Sequence, residues 1–457
     1  MAMSRVGSRT AARLEHRLAR EQAEGRLPSV VAGLVRDGTL VWSGAAGEVD
    51  GAAPTGDTQY RIGSITKMLV AVCVLRLRDE GQLDLAEPAS RHVPDAPAAS
   101  ATIAQLLCHA SGLRAETPGA WWERTAGGDW PALTDLFTGD AGIAAPGRRF
   151  HYSNPGYAVL GELVARLRGA PWQEVVRREL LEPLGMTRTT TRPEPPVAPG
   201  LAVHPWADAV LAEPEHDAGA MAPAGQLWAT LEDLARWAAF LGGANPEVLS
   251  PATLDEMMRP IALDDRPGLP WTAAYGLGAQ VFNLEGRRYV GHGGSMPGFL
   301  ASVRVDAEDG DGVVVMANAT TGLGPTLQAD LLATLAEEEP RAPGPWRAEG
   351  AGPGVVELAG VWYWGPAPLV LTAEGDEDLD LRPLQPRGGF GRASRFRRLD
   401  ETTWIGLDAY YAGETLRVVR HEDGSLSHLD LGSFVLTTTP YDPAADVPGG
   451  VDPDGWH

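Results

Sequence analysis

The stretch RIGSITKMLV, residues 61–70, contains a serine and a lysine three residues apart, Ser64 and Lys67. The chain has 38 lysine and arginine residues together, and Lys67 is its only lysine. Arginine stays protonated at any pH a protein meets, whereas a buried lysine can lose its proton and become a base. A single lysine one helical turn from a serine therefore indicates a cation that must be deprotonated. The alternative is a codon bias against lysine, in which Lys67 has been retained by chance and has no special role.

The bulk composition indicates a globular protein with more than one domain. A length of 457 residues favours two or three domains, and 44% hydrophobic with 21% charged residues is typical of globular chains. A formal net charge of -22 argues against nucleic-acid binding, because nothing would neutralise the phosphates. No run approaches the roughly 18 apolar residues of a membrane span, and the first residues lack the apolar core of an export signal. We therefore expect a cytoplasmic protein that does not bind membranes.

Helix and strand patterns alternate in an order that predicts an antiparallel sheet made from both ends of residues 1–339. Helical spacing covers residues 9–26, and an Asp-Gly pair at residues 37–38 predicts a hairpin between two strands. A helix is predicted from Ser64, and a loop-rich helical lobe is predicted to be inserted over about residues 82–258. Strand patterns and a final helical pattern then complete the region.

The residue pattern also marks element ends, a linker and a change to short strands. Within the lobe, Asn-Pro-Gly at residues 154–156 is predicted to end one element before the next helix begins. Residues 340–354 are rich in proline and glycine and are interpreted as a linker. Short strand patterns separated by turn residues follow over residues 355–443 and predict a small all-β barrel. Residues 444–457 are interpreted as a loosely ordered tail. Two cysteines, at positions 73 and 108, lie in apolar runs and are predicted to be buried free thiols.

Ser64 and Lys67 are predicted to share one helix face at a helix start. A neutral lysine amine can take the hydroxyl proton, and N–H groups at the helix N-terminus can stabilise the oxyanion that forms. Serine and lysine at this spacing are a weak pattern in a chain of this length, and the uniqueness of the lysine strengthens it.

Two further motifs carry polar groups. HYSNPGY, residues 151–157, supplies Tyr152, which can act as phenolate or proton relay, and Asn154, which can donate to a substrate carbonyl. A turn before proline explains the same letters. GHGGSMPGF, residues 291–299, ends a predicted strand, where His292 would project into a site beside the N–H of Ser295. A glycine-rich strand end before a bulge is the structural explanation. His109 is interpreted as structural.

Together the three motifs resemble the serine β-lactamase and penicillin-binding-protein superfamily, on its class C or carboxypeptidase-like branch, over about residues 27–339. The segments TIAQLLCHASGL and YGLG resemble parts of the same branch. The resemblance implies an α+β fold, with a β-lactamase/transpeptidase-like antiparallel sheet and a helical lobe, followed by an all-β barrel.

The resemblance also implies a role for each motif residue. Ser64 would be the acylated nucleophile, and Lys67 and Tyr152 would form the base pair. The substrate-binding residues would be Asn154 for the acyl amide, His292, Gly293 and Gly294 on the third-motif strand, and Ser295, whose N–H would form the oxyanion hole with that of Ser64.

The third motif departs from the pattern of β-lactam-hydrolysing members. They usually carry Lys-Thr-Gly where this chain has His-Gly-Gly at residues 292–294. Because the lysine of that motif binds the carboxylate of the antibiotic, this chain should bind such a carboxylate more weakly. We therefore expect β-lactams to be poor substrates. This resembles the branch of D-aminopeptidases, esterases and stand-alone penicillin-binding-protein-type thioesterases, several of which carry a C-terminal lipocalin-like barrel. Residues 355–440 fit that barrel. A barrel that covers the acyl site and one that only packs beside the lobe are both consistent with the sequence.

Within that branch the chain resembles thioesterases that release and macrocyclise nonribosomal peptides. The resemblance implies a peptidyl thioester ending in a D-residue as substrate, presented by a peptidyl carrier protein, with the peptide's own amine as acceptor. A D-stereospecific peptidase or esterase is the alternative, and a non-catalytic binding protein of the same fold is a second alternative. No sequence pattern for ATP, zinc or iron–sulfur binding is present, so we expect neither a metal nor another cofactor.

Overall fold

A computed structural model describes residues 5–137, 141–284, 286–347, 352–375, 377–384, 393–432 and 434–441. The chain divides into two units, Met1–Arg341 and Ala342–His457. The predicted tail, residues 444–457, lies outside the described residues. Among the described residues, no helix has both the length and the apolar character that a membrane crossing requires.

The first unit contains both strands and helices. Its strands are β1 (Ser29–Arg36), β2 (Thr39–Gly47), β3 (Tyr60–Arg61), β4 (Leu201–Val203), β5 (Val210–Ala212), β6 (Trp228–Ala229), β7 (Ala262–Leu263), β8 (Ala273–Tyr275), β9 (Gln280–Leu284), β10 (Arg287–Met296), β11 (Phe299–Asp306) and β12 (Gly312–Ala317). Its helices are α1 (Ser8–Glu24), α2 (Thr66–Asp79), α3 (Ile103–Leu107), α4 (Trp130–Asp135), α5 (Asn154–Arg168), α6 (Trp172–Val176), α7 (Leu231–Leu241), α8 (Pro251–Met257) and α9 (Leu327–Glu338).

Eight of the described strands form one antiparallel sheet, in the order β2-β1-β12-β11-β10-β9-β8-β7. The pairing of β1 with β12 joins the two ends of the unit, as the sequence predicts. Asp37 and Gly38 form the turn between β1 and β2, with φ angles of 51° and 67°. Two successive positive φ angles are typical of a type I′ hairpin turn. The predicted α+β class with an antiparallel sheet is confirmed.

Helices cover both faces of this sheet. Side chains along a strand point alternately to opposite faces. On β1, Val30, Ala32 and Leu34 pack in the core layer that includes α1 and α9. Val31 and Val35 face the other core layer, which includes α2 and α5. Most side chains of α2 are buried. The helix that follows Ser64 is therefore held on nearly every side, which fixes its position relative to the sheet.

Two element boundaries differ from the sequence prediction. The helix expected to begin at Ser64 begins at Thr66, because Gly63–Ile65 form a 3₁₀ turn ahead of it. The prediction that residues 154–156 end an element is wrong. They form the first turn of α5, which Ser153 caps through its side chain. Proline suits a first helical turn because the N–H that it lacks would have no partner there.

The second unit is a nearly closed antiparallel barrel. A short helix, α10 (Pro353–Val356), precedes strands that pair in chain order: β13 (Gly360–Trp364), β14 (Ala367–Glu374), β15 (Asp378–Pro383), β16 (Ser394–Arg398), β17 (Thr403–Gly406), β18 (Thr415–Arg420), β19 (Leu426–Asp430) and β20 (Val435–Leu436). Backbone hydrogen bonds of 2.7 and 2.9 Å between Tyr363 and Thr437 bring the two edges together. Trp362 and Trp404 are buried in its core. The predicted barrel is confirmed, and its likeness to lipocalins stays a prediction.

Candidate active site

The turn that carries Ser64 packs against the end of β10. A Cβ added to Gly63 would lie 2.6 Å from the backbone nitrogen of Ser295, and one added to Gly294 would lie 1.9 Å from the carbonyl oxygen of Ile62. Real Cβ atoms do not approach other atoms so closely, so both positions need glycine for the two backbones to meet. The turn Gly63–Ile65, called the nucleophile turn after the role predicted for Ser64, is therefore in direct contact with β10, the strand that carries the third motif.

Beyond Gly291, β10 has an edge that β9 does not cover. The pairing of the two strands ends where Gly291 lies opposite Gln280. The N–H of Gly293 donates to the side-chain oxygen of Gln280 at 3.0 Å, so it points to this edge. Backbone N–H groups of a strand alternate in direction, so the N–H of Ser295 points to the same edge as that of Gly293. Both residues are exposed. The strand thus presents a backbone donor beside the nucleophile turn.

Lys67 is fully buried and contacts Ser64. Its Nζ donates to Ser64 Oγ at 2.9 Å and to the carbonyl oxygen of Ala224 at 2.6 Å. Burial lowers the pKa of Lys67 to about 7, although the carboxylates of Glu116 and Glu123 act to raise it. Near neutral pH a large share of the side chain is therefore an uncharged amine, which is able to accept the Ser64 proton.

Tyr152 lies beside Ser64 and Lys67. Lys67 Nζ lies 5.0 Å from the centroid of the tyrosine ring. Burial raises the pKa of Tyr152, although the nearby Ser64 side chain acts to lower it. The side chain is therefore a neutral phenol at physiological pH, so of the two roles considered from the sequence the geometry favours the proton relay over the phenolate.

Asn154 is bonded to a carboxylate that sequence reasoning missed. Its Nδ2 donates to Glu116 Oε1 at 2.8 Å, and the indole N–H of Trp122 donates to Oε2 at 2.6 Å. The backbone N–H of Asn154 donates to the carbonyl oxygen of Ala115 at 2.9 Å. At least one of the amide hydrogens expected to be available to a substrate is thus engaged by Glu116. The contact spans 38 residues of sequence, and no local pattern signals it.

His292 is a buried neutral ring whose centroid lies 6.3 Å from that of Tyr152, which differs from the expectation that it projects into the site. It is 1% exposed. Its Nδ1 bonds to the Gly293 carbonyl, and its Nε2 lies 2.6 Å from the hydroxyl of Tyr275. A carbonyl only accepts, so Nδ1 carries the proton and Nε2 accepts from Tyr275. Burial, together with the charge of Lys67, lowers the pKa of His292 to about 3. It therefore cannot supply the positive charge of the lysine that it replaces.

The structure brings the residues of all three motifs to one place where the nucleophile turn, α5 and β10 meet. Among the described residues, no group of histidine, cysteine, aspartate and glutamate side chains is suited to hold a metal ion. A serine hydroxyl, an amine of lowered pKa, a phenol and backbone N–H donors are the parts that covalent acyl transfer uses.

A family model described as Beta-lactamase matches residues 14–338, a range that contains every residue of this site. The chain belongs to the Beta-lactamase family. A second model, described as Domain of unknown function (DUF7586), matches residues 351–438, which include the barrel strands.

Two curated proteins resemble this chain over part of their length. Beta-lactamase-like protein 2 from Dictyostelium discoideum is 29% identical over 262 residues, which cover 52% of this chain and 46% of that protein. The human protein Putative beta-lactamase-like 1 is 28% identical over 333 residues, covering 68% of this chain and 61% of that protein. This chain thus spans about half to three fifths of the curated relatives it matches.

Three solved structures share the fold of this chain. A D-stereospecific amidohydrolase from Streptomyces sp. is 27% identical, with a TM-score of 0.59 over 73% of this chain and 99% of that chain. An octameric penicillin-binding protein homologue from Pyrococcus abyssi is 22% identical, with a TM-score of 0.64 over 93% and 99%. SurE is 23% identical, with a TM-score of 0.60 over 94% and 98%. The last two similarities show a common fold alone.

Proposed function

We propose that this protein is a serine hydrolase-type acyltransferase that takes a peptidyl group from a thioester onto Ser64 and releases it as a head-to-tail macrocycle. The observation that carries the acyl-enzyme is the 2.9 Å hydrogen bond between the buried Lys67 Nζ and Ser64 Oγ. A general base works best when its pKa lies near the operating pH, and burial lowers the pKa of Lys67 to about 7.

In the acylation step, Lys67 accepts the hydroxyl proton while Ser64 Oγ bonds to the thioester carbonyl carbon. The negative charge that develops on the carbonyl oxygen is stabilised by the backbone N–H groups of Ser64 and Ser295. The C–S bond then breaks, and the thiolate recovers the proton from the Lys67 ammonium through the hydroxyl of Tyr152. The products are an ester on Ser64, a free thiol and a neutral Lys67.

In the second step, the amino terminus of the bound peptide attacks the Ser64 ester. The amine passes one proton to Lys67 as the C–N bond forms, and Ser64 Oγ recovers that proton as it leaves. The peptide's own amine has a far higher effective concentration than an external amine, because both ends belong to one bound molecule.

Carboxylates beside Lys67 support an amine as acceptor. Asn154 and Trp122 each donate to one oxygen of Glu116, so its carboxylate has a fixed orientation. Burial and the nearby charge of Glu116 raise the pKa of Glu123. Two like charges at one place are unfavourable, and an ammonium group bound between them would relieve the repulsion. Before attack this ammonium passes one proton to a carboxylate, for which Glu123 with its raised pKa is suited, and it then reacts as the neutral amine. A substrate with a free amino terminus fits this distribution of charge.

The stereochemistry and the carrier of the donor belong to the same proposal. The similarity to the D-stereospecific amidohydrolase from Streptomyces sp., at 27% identity, supports a substrate with a D-configured residue at the scissile carbonyl. A neutral His292 offers no charge to a free carboxylate, which favours a donor whose terminal carboxyl group is bound as a thioester. We propose a peptidyl carrier protein as the partner that presents it.

The test compares two peptidyl thioesters that differ only in the configuration of the C-terminal residue. Products are identified by mass spectrometry, with Ser64→Ala as the matched control. Cyclic product from the D-epimer alone, and none with Ser64→Ala, is the expected result. Equal reaction of both epimers would remove the stereochemical argument.

A D-stereospecific peptidase or esterase is the second candidate, and the same similarity to the Streptomyces amidohydrolase favours it. Water would then attack the Ser64 ester in place of the amine. Linear acid as the sole product of the D-thioester would move the assignment to this hydrolase. A non-catalytic binding protein is the second alternative given by the sequence. In that case a fluorophosphonate probe would not label Ser64.

A further inference from the structure

His109 holds the segment that carries Tyr152 at three points. The backbone N–H of His151 donates to the carbonyl oxygen of His109 at 2.7 Å. The backbone N–H of Ser153 donates to His109 Nδ1 at 3.0 Å. Between these two bonds the ring of Tyr152 lies over the imidazole, with 4.1 Å between centroids and 30° between planes. One residue therefore fixes the backbone on both sides of Tyr152 and also its ring.

The conformation of His109 has features that packing alone does not require. A backbone N–H only donates, so Nδ1 of His109 is an acceptor and Nε2 carries the proton. Nε2 is buried and has no hydrogen-bond partner among the described residues. The φ angle of His109 is 57°, in the left-handed region that is uncommon for residues other than glycine. A buried N–H without a partner and a left-handed backbone conformation both cost free energy, so each needs an explanation at the position where it occurs.

We propose that His109 is a positioning residue that holds the Tyr152 hydroxyl against Ser64. The proposal rests on the acyl-enzyme chemistry proposed above and revises the interpretation of His109 as merely structural. His109 acts through Tyr152 and makes no contact with the reacting atoms. Its substitution should therefore slow the proton relay without changing how tightly a substrate binds.

The test is a double-mutant cycle on the rate at which a fluorophosphonate probe labels Ser64, followed by intact-protein mass spectrometry. His109→Phe keeps a ring over Tyr152 but cannot accept the Ser153 N–H. We expect the maximum labelling rate to fall about tenfold or more, because small misplacement of a catalytic group slows the chemical step. The probe concentration at half-maximal rate should stay unchanged. In a Tyr152→Phe background the same substitution should change the rate by no more than about twofold, because its target is already absent.

Leu18→Ala is the control for a purely structural loss. Leu18 is buried in the core layer on the opposite face of the sheet, so its truncation lowers stability and should leave the labelling rate unchanged in both backgrounds. An equal fall caused by His109→Phe in both backgrounds would overturn the proposal. If His109→Phe does not fold, His109→Gln, which keeps an acceptor oxygen and removes the ring, replaces it in the same cycle. Absence of labelling at Ser64 of the wild-type protein would overturn the proposed function itself.

Discussion

At position 67 the proposed acyl transfer requires a cation that can give up its proton. Arginine keeps its charge at every accessible pH, so Lys67→Arg conserves the charge and removes the base. We expect this variant to turn over a peptidyl thioester at less than about a tenth of the wild-type rate. The matched control is Arg78→Lys on the same helix, where the side chain forms ion pairs with Asp79 and Glu256. Activity of Lys67→Arg close to that of this control would refute the base assignment.

The pKa of Lys67 sets the pH dependence of the reaction. Burial lowers that pKa from 10.5 to about 7, and only the uncharged amine accepts a proton. The value of kcat/KM should therefore fall as the pH decreases through about 7, by about tenfold for each further unit. A pH–rate profile with one substrate tests this, and a flat profile between about pH 5 and 8 would contradict it.

At the scale of single residues, the sequence motifs singled out Ser64, Lys67 and Tyr152, and the structure brings these three side chains together. Their catalytic roles stay a prediction. Few types of side chain can serve as nucleophile or base, so such candidates can be recognised in a sequence. The role of Glu116 could not be predicted, because its contact with Asn154 depends on how two distant segments fold. The burial of the third-motif histidine depends on packing in the same way, and a strand pattern alone does not reveal which side of a strand is covered. The two cysteines are buried free thiols, as their apolar surroundings predict.

At the scale of elements, local chemistry predicted some features well. An Asp-Gly pair favours a hairpin turn wherever it occurs, so the turn at residues 37–38 was correctly predicted. Proline is ambiguous, because it ends a preceding helix and also suits the first turn of a new one. For residues 154–156 the second role applies, and only the cap provided by Ser153 distinguishes the two.

The contact between the nucleophile turn and β10 makes Gly294 indispensable. A Cβ at this position would lie 1.9 Å from the Ile62 carbonyl oxygen, so Gly294→Ala must push the two backbones apart. We expect lower thermal stability and Ser64 labelling slowed by about a hundredfold, because the Ser295 N–H moves away from the developing oxyanion. Labelling by a fluorophosphonate probe and the melting temperature measure the two effects.

Gly293→Ala is the matched control for stability. A Cβ there would meet only Gln280 Oε1, at 3.9 Å, so this neighbouring substitution on the same strand should leave the melting temperature close to that of the wild type. Equal melting temperatures for Gly293→Ala and Gly294→Ala would show that the two backbones are not in the close contact described.

At the scale of the whole molecule, the proline- and glycine-rich linker after residue 339 and the short strand patterns that follow it predicted a second, all-β part of the chain. The closure of its barrel through Tyr363 and Thr437 could not be predicted, because these strands lie at opposite ends of that unit. The register of the main sheet could not be predicted either. Its strand order joins β1 to β12 across more than half of the chain, and register over such a distance depends on tertiary packing, which no local pattern encodes.

A network of charges joins the two ends of the first unit where β1 meets β12. Arg36, at the end of β1, donates through Nη2 to Asp311 Oδ2 at 2.6 Å and through Nη1 to the carbonyl oxygen of Glu339. Asp311 is 7% exposed and also accepts from Arg341. Two arginines therefore satisfy one buried carboxylate beside the strand that completes the sheet.

Removing the more buried arginine should destabilise the whole unit. Arg36→Met leaves Asp311 with one partner and frees the Glu339 carbonyl, so we expect a loss of about 1–3 kcal/mol in the free energy of unfolding. Arg341→Met is the control. The Arg341 side chain is 36% exposed, against 14% for Arg36, and an exposed ion pair contributes less than about 1 kcal/mol. Urea unfolding followed by tryptophan fluorescence compares the two midpoints. A larger shift for Arg341→Met than for Arg36→Met would mean that the pairing of β1 with β12 does not depend on the buried arginine.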